Sequence, residues 1–225
     1  MKFPKQPRRT FIKQAAALAG MPMILPGSVL GLNGAVAPSN RITVGGIGLG
    51  GRGRAVLGAF FQHPDFQFLA IADPQKERRE IVQRLAMRKY GVKQCDTYVD
   101  MGDVLSRDDI DAVIIATGDR WHTTASIYAA RAGKDIYCEK PCSMNIQESR
   151  ELDEAVLKHK RVFQAGTQRR SVQNFALAAE LARSGKLGKL KSVHAGILQL
   201  SDYAAPLPEE PLPDPELIDW DKWVG

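Results

Sequence analysis

The side chains able to do chemistry fall in five places, each closing an apolar run. The first is Gly48-Leu49-Gly50-Gly51-Arg52-Gly53, which follows a β-branched stretch beginning at Ile42 and precedes a helix-like run over 55–62. This is G-x-G-x-x-G in a strand-turn-helix context. Gly48 permits the tight turn, Gly50 lets backbone approach a pyrophosphate, and Gly53 lets the helix lie close on the strand. The start of that helix offers free N–H groups and a positive dipole end to phosphate, and Gly51 and Arg52 of the turn are counted with the cofactor-binding residues. Asp73 ends the second run, 66–72, and lies 20 residues beyond Gly53. A carboxylate there suits the hydroxyls of an adenosine ribose and disfavours a 2′-phosphate, so NAD is favoured over NADP. Lys76, Arg78 and Arg79 nearby keep NADP open. Asp73-Pro74 also has the form of a helix start, with Asp at the N-cap and Pro at the first helical position. The remaining clusters are Thr117 to His122, Glu139-Lys140, and Thr167 to Arg170.

The elements that must position these clusters alternate. Strand runs are expected at 42–47, 66–72, 97–99, 111–117, 135–138 and 162–165, and helices at 55–62, 74–90, 100–105, 123–132 and 145–160. In the last helix Leu152, Val156 and Leu157 are expected to face inward. Strand and helix at crossover spacing predict an α/β fold, a doubly wound parallel sheet of the Rossmann type. Ligands bind such sheets at the carboxyl ends of the strands, which is where every polar cluster sits. A second region follows, with an amphipathic helix over 172–183, a strand over 189–200 and a proline-rich loop over 204–215.

Charge and cysteine content narrow the class. The 225 residues carry a net charge of +6, which invites a nucleic-acid reading. Residues 1–37, however, hold Lys2, Lys5, Arg8, Arg9 and Lys13 and no acid. Taking those five from the 31 basic residues leaves 26 against 25 acidic ones, so no nucleic-acid partner is expected. Pro7-Arg8-Arg9-Thr10-Phe11-Ile12-Lys13 matches the twin-arginine pattern. An uncharged stretch follows, broken by Pro22 and Pro26, and Ala35-Val36-Ala37 has the form of a cleavage site. The expectation is an export signal over 1–37, a periplasmic location and no stable membrane span, against the alternative of an uncleaved anchor. Cys95, Cys138 and Cys142 are too few and too irregular for a disulfide framework, and no metal site is expected.

Through Tyr137-Cys138-Glu139-Lys140-Pro141, the chain resembles the Gfo/Idh/MocA family of nicotinamide-dependent sugar and inositol oxidoreductases, from Arg41 to its last residue. Ala116-Thr117-Gly118-Asp119-Arg120-Trp121-His122, Gly166-Thr167-Gln168-Arg169-Arg170-Ser171 and the terminal Asp219-Trp220-Asp221-Lys222-Trp223-Val224-Gly225 carry the rest of the likeness. Exported members of similar kind commonly bear a twin-arginine signal. The resemblance implies that Lys140 lies beside the nicotinamide and the reacting alcohol as a catalytic and substrate-orienting group. A confined crevice would help, because desolvation disfavours the charged form of a lysine. It further implies that Thr117, His122, Glu139 and Gln168 join the glycine loop and Asp73 in cofactor binding, that Arg170 meets substrate, and that Pro141 is cis. Glu139 is open to pairing with Lys140 or to lining the cofactor site. For His122 the alternative is a helix-start residue packed under Trp121. Gly118, Arg120 and Cys142 depart from the residues usual in the family.

Three regions follow: the export signal at 1–37, a dinucleotide-binding domain at 38–165, and at 166–225 the beginning of an α+β substrate domain with a mostly antiparallel sheet. The family's second-domain histidine is absent, so the chain reads as a C-terminally truncated piece of a longer protein, inactive by itself and homo-oligomeric when whole. The expected activity is hydride transfer between a sugar or cyclitol secondary alcohol and tightly bound NAD. The alternatives are glycoside cleavage through transient oxidation and elimination, and a non-catalytic nucleotide-binding protein.

Overall fold

The computed structural model describes residues 26–27, 29–32, 36–91, 95–194, 196 and 211–225. The twin-arginine pattern lies outside them. The chain forms two compact units, Met1–Arg41 and Ile42–Gly225. In the first, Pro38–Asn40 makes a single 3₁₀ turn, and the Arg41 guanidinium donates to the Val36 carbonyl at 3.1 and 3.2 Å.

The second unit is built on six parallel strands, β1 (Ile42–Ile47), β2 (Phe66–Ala72), β3 (Asp96–Tyr98), β4 (Ala112–Ile115), β5 (Asp135–Glu139) and β6 (Phe163–Gly166), in the order β3-β2-β1-β4-β5-β6. The connecting helices are α1 (Gly51–Phe60), α2 (Lys76–Tyr90), α3 (Met101–Leu105), α4 (Asp119–Arg131) and α5 (Ile146–His159). The order reverses between β1 and β4, and that reversal opens a crevice at the strand carboxyl ends.

The apolar residues alternate between the two faces with the period of a strand. Ile71 and Ile114 join Val56, Leu57, Phe61, Phe68 and Val82 under α1 and α2. Their neighbours Ala70, Ala72, Val113 and Ile115 join Val104, Ala125 and Ala129 under α3 and α4. Burial on both faces is why the run 111–117 carries no polar alternation.

Several boundaries move. Helix α1 begins at Gly51 inside the glycine turn, and α4 at Asp119 behind Gly118, four residues ahead of expectation. Helix α2 begins at Lys76 with Gln75 at its N-cap, so Asp73 does not cap it. In α5, Leu152 is buried but Leu157 is 68% exposed. At 100° per residue, Leu157 stands about 140° around the helix from Leu152, off the face that meets the sheet.

Beyond Gly166, Gln168–Ser171 forms a 3₁₀ turn and α6 spans Gln173–Arg183 with no buried residue. The strand expected over 189–200 does not form in residues 189–194; positions 195 and 197–200 lie outside the described residues. A strand needs a partner ladder, and none stands beside this segment among the described residues. The final helix, α7 (Trp220–Val224), follows an isolated antiparallel bridge between Ile218 and Gln75. No helix among the described residues is long and apolar enough to cross a membrane.

Candidate functional site

A cavity of about 390 Å³ opens at the carboxyl ends of β1, β2 and β4. Gly48, Gly50, Gly51 and Arg52 line it from the turn, Asp73 from the end of β2, and Thr117 from the end of β4. Gly48 has φ +66°, and a Cβ there would lie 2.4 Å from Thr117 Cγ2 and 2.8 Å from Thr117 Cα. Only glycine fits both demands. Gly53 does not line the cavity. It faces Leu49 and Ala116, where an added Cβ would come within 2.9 and 3.0 Å. Helix α1 has no side-chain cap at its N-terminus, so its first-turn N–H groups are left for a ligand or solvent.

Asp73 is the most deeply buried carboxylate among the described residues. It is 1% exposed. Its Oδ1 accepts from Gln75 N at 2.9 Å, and its Oδ2 has no partner. Burial pushes its carboxyl above the ordinary range, against the Gln75 N–H and the charges of Arg78, Arg79 and Arg54. A buried acceptor left open in a cavity wall fits the donating hydroxyls of a ribose. Together with the glycine cradle and the uncapped α1, it is a donor and acceptor set suited to a dinucleotide.

A second group sits at the end of β5 and shares only Arg52 with the cavity. Glu139 is 3% exposed. Arg52 Nε donates to its Oε1 at 2.8 Å, and the backbone N–H of Lys140 donates to its Oε2 at 3.2 Å. Glu139 therefore pairs with Arg52 of the glycine turn and not with the Lys140 ammonium. Lys140-Pro141 is a cis peptide. His122, 1% exposed, lies 2.6 Å through Nδ1 from the Pro141 carbonyl. A carbonyl only accepts, so Nδ1 carries the proton. Thr123 Oγ1 donates to the Cys142 carbonyl at 3.0 Å. The first turn of α4 thus pins the loop that presents Lys140. His122 supports this loop and does not reach the cavity. Lys140 itself is exposed, so the described residues do not supply the confinement expected for it. Gln168 and Arg170 are exposed as well, and Arg170 borders a shallow groove beside Phe175 and Glu180 that shares no residue with the cavity.

Arg78, Arg120 and Trp121 also line the cavity, and so do three residues to which the sequence alone assigned no role there: Asp100, Lys222 and Trp223. Lys222 pairs with Asp100, 122 residues away in the chain. No local pattern announces such a pair; residues 219–225 stood out in the sequence only through the family likeness. Cys95, Cys138 and Cys142 are free thiols, and burial pushes Cys95 up to about 12.

Residues 42–167 match the family model described as an oxidoreductase family with an NAD-binding Rossmann fold. The chain is 35% identical over 127 residues to scyllo-inositol 2-dehydrogenase (NAD(+)) of Bacillus subtilis, covering 56% of this chain and 35% of that protein. It is 34% identical over 113 residues to glycosyl hydrolase family 109 protein 1 of Bacteroides thetaiotaomicron, covering 48% and 24%. Among solved structures, scyllo-inositol dehydrogenase from Lactobacillus casei with bound NAD(H) and scyllo-inositol aligns with a TM-score of 0.58 at 25% identity, over 66% of this chain and 42% of that one. The chain spans less than half the length of each of these relatives.

Proposed function

We propose, because this chain belongs to the Gfo/Idh/MocA family of NAD-binding oxidoreductases, that the whole protein moves hydride between its cofactor and a secondary alcohol of a sugar or cyclitol. The observation that carries this reading is the open, buried Oδ2 of Asp73 in the wall of a glycine-floored cavity. Asp73 would receive ribose hydroxyls and the N-terminus of α1 a pyrophosphate. The bound nicotinamide supplies the hydride acceptor. Lys140, on a loop fixed by His122 and Thr123, orients the reacting hydroxyl and handles its proton. The Arg52–Glu139 pair ties that loop to the glycine turn, so the cofactor and alcohol sides are held in one frame. A cyclitol or sugar substrate is supported by the inositol dehydrogenases among the relatives.

A second reading, glycoside cleavage by transient oxidation, is supported by the family 109 relative. We further propose export by the twin-arginine route with nucleotide already bound, and homo-oligomerisation of the whole protein.

The test uses the full-length protein. Nucleotide released on denaturation is identified, and inositols, free sugars and aryl glycosides are then supplied while nicotinamide absorbance is followed. Net absorbance change with a free alcohol supports the dehydrogenase; aryl release without it supports cleavage. Lys140→Met should lower turnover about 10²- to 10⁴-fold while nucleotide binding persists. A protein that takes up no NAD, or turnover indifferent to Lys140, sinks the reading.

A further inference from the structure

We propose that residues 217–225, ending in α7, form a clasp over the adenosine-diphosphate half of the nucleotide cavity, with Lys222 and Trp223 setting how long a dinucleotide stays bound. This rests on reading that cavity as a dinucleotide site. The segment is laid along the loop that follows Asp73. Lys76 N donates to the Leu217 carbonyl at 2.9 Å, Asp219 N donates to the Pro74 carbonyl at 3.2 Å, and Ile218 is buried. From that seam α7 reaches across the cavity to Asp100 after β3 and to the first turn of α4 after β4. The Lys222 ammonium meets Asp100, and that contact holds the Asp100 carboxyl below its ordinary range. Arg120 lies 4.7 Å over the Trp223 ring and donates to the Trp223 carbonyl, which Trp121 Nε1 also reaches at 3.3 Å.

Three features make this a clasp and not ordinary packing. Lys222 and Trp223 line the same cavity as Gly50 and Asp73. The segment runs along the loop after β2 and Lys222 meets Asp100 after β3, both on the adenosine side of a dinucleotide crevice. Trp223 meets Arg120 and Trp121 after β4, beside the switch point where a pyrophosphate sits; Glu139 and Lys140 line no part of the cavity. Finally, α7 has five residues, too few for an isolated helix to persist. It is held by the Asp219 cap, whose Oδ1 accepts from Lys222 N at 3.1 Å, and by the contacts it makes across the cavity. A five-residue helix fixed this way can release as a unit, and its release sets the exit rate of whatever lies beneath.

The experiment measures release rates of NADH and of ADP from the full-length protein by rapid displacement. Asp100→Asn keeps the acceptor that caps α3 but removes the ion pair. It and Lys222→Met should each speed release of both ligands roughly threefold, as suits a solvent-exposed pair. Their double variant should add nothing beyond either single one. Trp223→Ala should speed release about tenfold or more, with the same factor for ADP as for NADH. Added salt should move the unaltered protein toward Asp100→Asn and leave that variant unchanged. Where Trp223→Ala does not fold, the two ion-pair variants decide. Rates within experimental error of the unaltered protein in folded variants overturn the clasp alone. An unaltered protein that binds neither NADH nor ADP overturns both the clasp and the nucleotide site beneath it.

Discussion

Asp73 shows how one residue couples burial to binding. An open carboxylate at 1% exposure is costly while it stays charged, and burial accordingly raises its pKa in the ligand-free protein. Ribose hydroxyls donate to the charged form, so binding favours deprotonation. The sign follows by linkage: affinity is full above the raised ligand-free pKa and is lost as pH falls through it. NADH affinity should therefore begin to fall at a pH above the ordinary aspartate value of about 4. Asp73→Asn keeps the shape, removes the charge and should flatten that pH profile. It should also weaken NADH about 10- to 100-fold, the scale of charge-assisted hydrogen bonds. Titrating NADH fluorescence from neutral to mildly acid pH checks both; an unchanged profile in the variant would assign the pH effect elsewhere.

At the scale of elements, the turn between β1 and α1 separates glycines that the fold requires from one that it does not. Gly48→Ala meets a left-handed φ and the Thr117 backbone together, and should cost about 1–3 kcal/mol in a urea melt. Gly51→Ala meets nothing within 4 Å and sits in the first turn of α1. It should leave stability unchanged or raise it by up to about 1 kcal/mol, while weakening NADH wherever a pyrophosphate must approach that backbone closely. The turn, the strands and their alternation were legible because each is written locally, in periodicity and in glycine spacing. The limits of legibility are also physical. Helix α4 begins at Asp119, with an extended Gly118 at its N-cap, ahead of any apolar stripe. Leu157 stands off the face of α5 that meets the sheet, so its apolar side chain stays exposed. His122 stood in the motif for the cofactor side, yet its hydrogen bond to Pro141 is a long-range fact about two loops. The wall made by Asp100, Lys222 and Trp223 joins segments that no sequence window contains.

At the scale of the molecule, burial among the described residues is concentrated around the sheet and falls off abruptly after β6. Strands β1, β2 and β4 are buried along most of their length, and α7 returns to the same body. Helix α6 instead leaves Phe175 at 47% and Leu177 at 56% exposure, and Leu190 and Val193 beyond it are more exposed still. An amphipathic helix that buries nothing has little beyond its own weak propensity to hold it, and amide exchange reports that difference directly. In the 225-residue chain, amides of α6 should exchange with little protection, while those of β1, β2 and β4 exchange only through global unfolding. Adding NADH should slow exchange in Gln75 to Arg79 and in Trp220 to Val224 together, because the nucleotide and α7 close the same cavity. It should leave α6 unaffected, since no residue of α6 lines that cavity. Protection of α6 equal to that of β4 would mean that its apolar face is covered. Protection gained on NADH binding by the glycine turn but not by Trp220 to Val224 would separate the nucleotide site from the segment that lies across it.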